Sequence, residues 1–148
     1  MELSDRIQIE NLIFRYTRYV DTAQWEDLGR LFSHAKVTAN KTDQVLEGGE
    51  VIGNYWKTVN RQYENGTLNT HHVVTNLEWE ETERGWVHVK SCFTVFQATP
   101  VLPLQPIACG RYDDTFIKFD ATNWRFYSKH IDVTLIGNMS QHLNIQLS

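Results

Sequence analysis

The sequence predicts a single α+β domain, and three observations predict it. Apolar residues recur at helical spacing as far as Tyr63, the period changes to two from His71 onward, and the alternating segments are long. The 148 residues, taken as one domain over 1–148, suffice to bury a core without disulfides or metals.

The first helix opens with Ser4 as its expected cap and Asp5 in its first turn. Ile9, Leu12, Ile13, Tyr16 and Val20 then follow at i, i+3, i+4, i+7 and i+11, which is one helix face. A second, shorter helix fits Trp25, Leu28, Leu31 and Phe32. Residues 36–47 are β-like on both sides of a polar turn at Lys41 to Asp43, and Gly48-Gly49 punctuates them. A third helix carries Ile52, Tyr55, Trp56, Val59 and Tyr63, with Gly66 as its terminator.

Strands are predicted at His71–Glu80, Trp86–Thr99, Ile107–Phe119 and Trp124–Gly137, joined by turns at Glu83-Arg84-Gly85 and Asp120–Asn123. Pro100, Pro103 and Pro106 fall in one connection, which reads as a loop because proline cannot donate to a ladder. Strands this long must curl to stay in a compact domain, and a curled sheet closed by helices encloses a cavity. Trp79 and Trp86 are large aromatics that could supply an exposed patch.

Charge and motifs exclude several classes of function. A net charge of −4 without any basic run gives no attraction for nucleic acid or anionic lipid. The only cysteines, Cys92 and Cys109, are far apart and form no CxxC, which indicates a reduced, cytoplasmic setting. Met1 to Asp5 is acidic and lacks the apolar stretch of a signal peptide. No run approaches the roughly 20 apolar residues that span a bilayer. GxSxG, P-loop, GxGxxG and HExxH motifs are absent, and no metal-ligand spacing occurs.

The residues able to do chemistry are few. Asp21 ends the first helix, where the macrodipole would raise its pKa and make it a better base. Asp21 with Gln24 also fits a capping box for the second helix. His71-His72 opens a strand, so only one of the two faces the interior, as a proton shuttle or as a satisfied core histidine. Tyr16, Trp56 and Phe96 read equally as core or as pocket wall. Arg111-Tyr112-Asp113-Asp114 carries charges expected to pair on the surface.

Taken together, several segments resemble a family. Ile9 to Tyr16, Val20-Asp21 and Leu28 to Phe32 resemble the opening of SnoaL-like domains of the nuclear transport factor 2-like superfamily. His72-Val73-Val74-Thr75-Asn76 resembles their His-x-x-Thr-Asn strand. Gly110 to Asp114, Trp124-Arg125-Phe126 and Gly137 to Leu143 resemble their closing half.

That resemblance implies a cone-shaped, curled mixed sheet whose three helices, all in the N-terminal half, close an apolar pocket. The branch holding scytalone dehydratase, bile acid 7α-dehydratase and hexachlorocyclohexane dehydrochlorinase implies a cofactor-free lyase or isomerase with an Asp–His pair. The Asp matches Asp21, the His matches His72, and the bile acid enzyme's Tyr matches Tyr16. The substrate implied is a small, largely apolar cyclic molecule, with Asn40, Trp56, Phe96 and Tyr112 as candidate contacts. A homotrimer or homodimer is implied. Two departures stand out: the dehydratases' first-strand Tyr is replaced here by Ala39-Asn40, and the second acid near Val95 has only Ser91, Thr94 and Gln97 in its place. The rival readings are a non-catalytic binding module on the same scaffold and the small subunit of a ring-hydroxylating dioxygenase.

Overall fold

A computed structural model describes residues 1–146. Helix α1 (Leu3–Asp21) lays Ile9, Ile13, Tyr16 and Val20 into the core. It starts from Glu2, whose backbone N–H donates to the Asp5 carboxylate at 3.0 Å, so Ser4 lies inside the first turn rather than at the cap. Asp5 is already committed by its accepted bond from the Trp124 indole at 2.8 Å and its ion pair with Lys118. Those contacts fix the helix start against the far end of the sheet.

Helix α2 (Trp25–Leu31) is followed by the short hairpin β1 (Lys36–Ala39) and β2 (Thr42–Glu47), then by α3 (Gly49–Val59). The third helix is one turn shorter than its apolar pattern suggested. Asn60 leaves it to bridge Leu143, and Tyr63 instead sends its hydroxyl to the Gln141 carbonyl at 2.5 Å. Gly66, at φ 83°, belongs to a separate tight turn closed on Tyr63.

Four long strands complete the chain: β3 (Thr70–Glu81), β4 (Val87–Thr99), β5 (Leu102–Lys118) and β6 (Trp124–Ile136). The sheet order is β2-β1-β6-β5-β4-β3, with β1 parallel to β6 and every other pair antiparallel. The architecture is therefore α+β, with three helices against a curled, unclosed mixed sheet. Register shifts in β3–β4, β4–β5 and β5–β6 supply the bends that curling requires.

Pro100 lies in the turn between β4 and β5 as expected, but the rest of the proline segment is strand, not loop. Pro103 and Pro106 lie inside β5, where it pairs only with β4, because β6 joins from Ala108 onward. A proline's missing donor is harmless where no neighbour asks for it. Trp79 also departs from expectation. It lies on the helix side of β3, packed on the core with Arg6 5.2 Å above its ring, while Trp86 is covered by Arg84 and Tyr127. No helix among the described residues is long and apolar enough to cross a membrane.

Candidate active site

Asp21 is the last residue of α1, and the chain turns away immediately through Thr22 and Ala23, the latter at φ 56°. The Asp21 carbonyl accepts the Leu68 N–H at 3.0 Å, tying the helix end to the segment that enters β3. Its carboxylate then meets three donors. Oδ1 accepts from Thr70 Oγ1 at 2.8 Å and from His72 Nδ1 at 2.5 Å, and Oδ2 accepts from the His72 backbone N–H at 2.9 Å. The side chain caps nothing in α2, whose cap is Gln24.

Both side chains are largely buried, at 15% exposure for Asp21 and 8% for His72. Burial pushes the Asp21 pKa upward, but the hydrogen bond and charge of His72, with the His72 N–H and Thr70, outweigh it and hold the pKa below its ordinary value. The helix-dipole argument gave the opposite direction. It fails because three donors contact the carboxylate directly, at shorter range than the dipole. Because Asp21 is an acceptor, Nδ1 of His72 carries the proton and Nε2 is left with a free lone pair. The carboxylate thus fixes the position of the imidazole.

Tyr16 projects from α1 into the interior, where its ring meets Phe32, Trp56 and Tyr112 edge-on at 5.9, 6.4 and 5.8 Å. Burial raises its pKa, hydrogen bonds with Trp56 and Tyr112 oppose that, and the charges of Asp114 and Asp21 add to it. Tyr112 is stacked on Phe93 at 4.4 Å, and burial likewise pushes its pKa up. Trp56 is half-buried on α3 against Tyr16 and Tyr55.

The other two candidates do not share the inner face with His72, although Phe96 lines the groove that reaches it. Phe96 pairs with His71, so strand alternation sends both to the opposite sheet face from His72. Asn40 is exposed and clamps β1 to β6, donating to the Val133 carbonyl and accepting the Val133 N–H, each at 3.0 Å. Both the oxygen and the nitrogen of its amide are engaged in that clamp.

Lys129 and His142, to which the sequence reading gave no role, and Asp114, which it placed on the surface, complete the interior. Lys129 and Asp114 form an ion pair at 3.2 Å with both side chains at 0% exposure, which corrects the surface placement expected for Asp114. Lys129 Nζ sits 3.5 Å from the Tyr112 ring centre and 4.3 Å from that of Tyr16. Burial lowers the lysine pKa and raises that of Asp114, each partner opposing the shift. His142, from the segment after β6, brings its ring to 6.1 Å from that of His72. A groove of about 910 Å³ reaches the pair between the end of α1 and β3, lined by Phe14, Arg18, Asp21, His72, Phe96 and Gln97 among others. It is open and mixed in polarity rather than an enclosed apolar pocket. Among the described residues no group of three or more His, Cys, Asp or Glu is placed to hold a metal ion.

The family model for the SnoaL-like domain matches residues 1–130. The chain belongs to the SnoaL-like domain family. Solved structures share its fold at low identity. A candidate scytalone dehydratase from Novosphingobium aromaticivorans has a TM-score of 0.73 at 19% identity, over 99% of this chain and 92% of that one. LinA, the hexachlorocyclohexane dehydrochlorinase, gives 0.71 at 17%, over 99% and 95%. An NTF2-like protein with a cystatin-like fold, also from Novosphingobium aromaticivorans, gives 0.71 at 16%, over 88% and 82%. No curated protein matches the sequence significantly. This SnoaL-like domain therefore has the nuclear transport factor 2-like fold.

Proposed function

We propose that this SnoaL-like domain is a cofactor-independent lyase or isomerase acting on a small, largely apolar cyclic substrate. His72 is its base and Asp21 the residue that orients and charges it. The observation that carries this reading is the three-donor grip on Asp21, with His72 supplying two of the donors. A carboxylate held that way fixes both the ring position and the tautomer, which is what a general base needs. His72 takes a proton from a carbon next to an activating carbonyl, and Asp21 stabilises the imidazolium that forms. The relatives' names, a dehydratase and a dehydrochlorinase, point to the same class of reaction.

The test is a panel of cyclic ketones with β-hydroxyl or β-chloro substituents, incubated in D₂O and followed by NMR. Exchange of the α-proton or loss of the substituent is expected with the native chain and not with His72→Ala. Equal exchange by both proteins would reject the base. The mixed polarity of the groove favours one rival, a binding module on the same scaffold. Ligand binding without any exchange would select it.

A further inference from the structure

Lys129 points into the core at 0% exposure, so strand alternation turns its neighbour His130 to the outer face of the sheet. His130 stands beside Thr38 in the parallel pairing of β6 with β1. Asp132, two residues further along β6, shares that face.

Two hydrogen bonds link these three side chains. Thr38 Oγ1 lies 2.7 Å from His130 Nδ1, and His130 Nε2 lies 3.1 Å from Asp132 Oδ1. A carboxylate can only accept, so in the neutral ring Nε2 carries the proton. Nδ1 is then a lone pair, and the threonine hydroxyl donates to it. A hydroxyl bonded to an imidazole whose far nitrogen is held by a carboxylate is the arrangement that activates a nucleophile. The ring is turned end for end relative to the serine proteases, where Nε2 faces the hydroxyl, but either nitrogen can take a proton.

The surroundings leave this centre open to a reagent. The side chains of His130 and Asp132 are 43% and 45% exposed, and Thr38 is half-buried. An open concavity of about 420 Å³ adjoins His130, lined by His88, Lys90, Asp113, Thr115 and Ser128 among others. The same face carries an internal control. His88 Nδ1 bonds Thr115 Oγ1 at 2.8 Å, but among the described residues no carboxylate is bonded to its other nitrogen, and Thr115 is only 7% exposed.

We propose that Thr38, His130 and Asp132 form a second reactive centre, on the outer sheet face, whose substrates are aryl esters or thioesters. Thr38 Oγ1 attacks the carbonyl carbon, its proton passes to His130 Nδ1, and Asp132 balances the imidazolium. The bond to the leaving group breaks, its electron pair leaves as phenolate or thiolate, and His130 gives that group the proton. The acyl group stays on Thr38 until water attacks it. His130 takes the proton of that water and returns it to the departing threonine oxygen. The products are a carboxylic acid and a phenol or thiol, and water is the one co-reactant. Asn40, two residues beyond Thr38, has both amide atoms engaged at Val133 and offers no donor to an oxyanion. A leaving group that is itself a weak base needs the least help of that kind, which selects the ester class.

The test treats the full chain with 4-nitrophenyl acetate. A burst of nitrophenolate is expected, and peptide mapping of the acid-quenched protein by mass spectrometry should place an acetyl ester on Thr38 and none on Thr115. Thr38→Val keeps the β-branched shape and removes the hydroxyl, so burst and ester should both vanish. His130→Gln should slow acylation about 100-fold. Asp132 is a positioning residue. Asp132→Ala should slow acylation and also release the ring tautomer, read by ¹⁵N NMR as a mixture of Nδ1–H and Nε2–H in His130. Asp132→Glu should restore part of both.

Acetyl groups on histidine or lysine with none on Thr38 overturn the proposal. So do equal bursts from the native chain and Thr38→Val, equal labelling of Thr38 and Thr115, or a Thr38 ester that forms at full rate in His130→Gln. Each of these leaves the three residues as a polar ladder that holds β1 to β6.

Discussion

Lys129 and Asp114 face each other at 3.2 Å in the interior of the cone, neither exposed to solvent, with the ammonium against the rings of Tyr112 and Tyr16. Such a pair is costly to break from one side. Lys129→Met or Asp114→Leu leaves an unbalanced buried group and should lower stability by about 3–5 kcal/mol. The double variant Lys129→Met with Asp114→Leu should recover most of that loss, because two apolar groups need no partner. Urea denaturation of the two singles and the double closes the cycle. Additive losses would show that the two residues do not act as a pair.

His142 gives the protein a specific acid sensitivity. Burial, followed by the charge of His72, pushes its pKa from the usual 6.5 down to about 3. Below 6.5 the unfolded chain binds a proton at this residue that the folded chain refuses. Stability therefore falls as pH falls, until about pH 3. The slope from this residue is about 1.4 kcal/mol per pH unit, or roughly 2 kcal/mol between pH 7 and 5. Asp21 acts in the same direction, but its depressed pKa matters only below the ordinary carboxylate range. Denaturation at pH 7 and pH 5 should show the loss in the native chain and a flatter dependence in His142→Phe.

Helix α3 presents Trp56 to Tyr16, and its seat is set by glycine. A Cβ at Gly49 would lie 2.3 Å from the Gly29 carbonyl oxygen, and one at Gly29 would lie 2.7 Å from that of Gly49. Both obstacles are backbone and cannot swing aside. Gly49→Ala should destabilise the protein by about 1–3 kcal/mol through separation of α2 and α3. The Trp56 fluorescence environment should change with it. Gly48→Ala is a useful contrast: nothing lies within 4 Å, so any loss there comes from its φ of 88° alone.

Local signals made most of this fold readable from sequence. The helical stripe through Ile9, Ile13, Tyr16 and Val20 and the inward alternation of Val87, Val89, Phe93 and Val95 are both as patterned. Lys129 was not readable, because the register slips between Phe126 and Ser128 and leaves Tyr127 as an extra residue. Simple alternation from Trp124 and Phe126 turns Lys129 outward, and the bulge turns it in. His142 was unreadable for another reason. It reaches the site from an irregular segment whose path depends on long-range bonds, from Gln97 and Tyr63 to Gln141 and from Asn144 to Thr58 and Asn60. Asp21 and His72 stood out by resemblance, but the direction of the Asp21 pKa shift needed the three donors in place.

Those three donors also decide what Asp21→Asn does. The His72 backbone N–H can only donate, so the amide oxygen must take the Oδ2 position. The amide nitrogen is thereby forced into the Oδ1 position, facing Thr70 Oγ1 and His72 Nδ1. The threonine hydroxyl can rotate and accept. Nδ1 must then accept as well, which moves the ring proton to Nε2. The imidazole stays in place but presents an N–H where the base's lone pair should be. On the proposed reaction, Asp21→Asn should lower kcat by roughly 10³–10⁴-fold with little change in KM, comparable to the loss of a triad carboxylate. Nitrogen NMR of His72 gives the second readout, a switch of tautomer from Nδ1–H to Nε2–H. A variant that keeps the Nδ1–H form and still loses its rate would show that Asp21 acts through its charge alone.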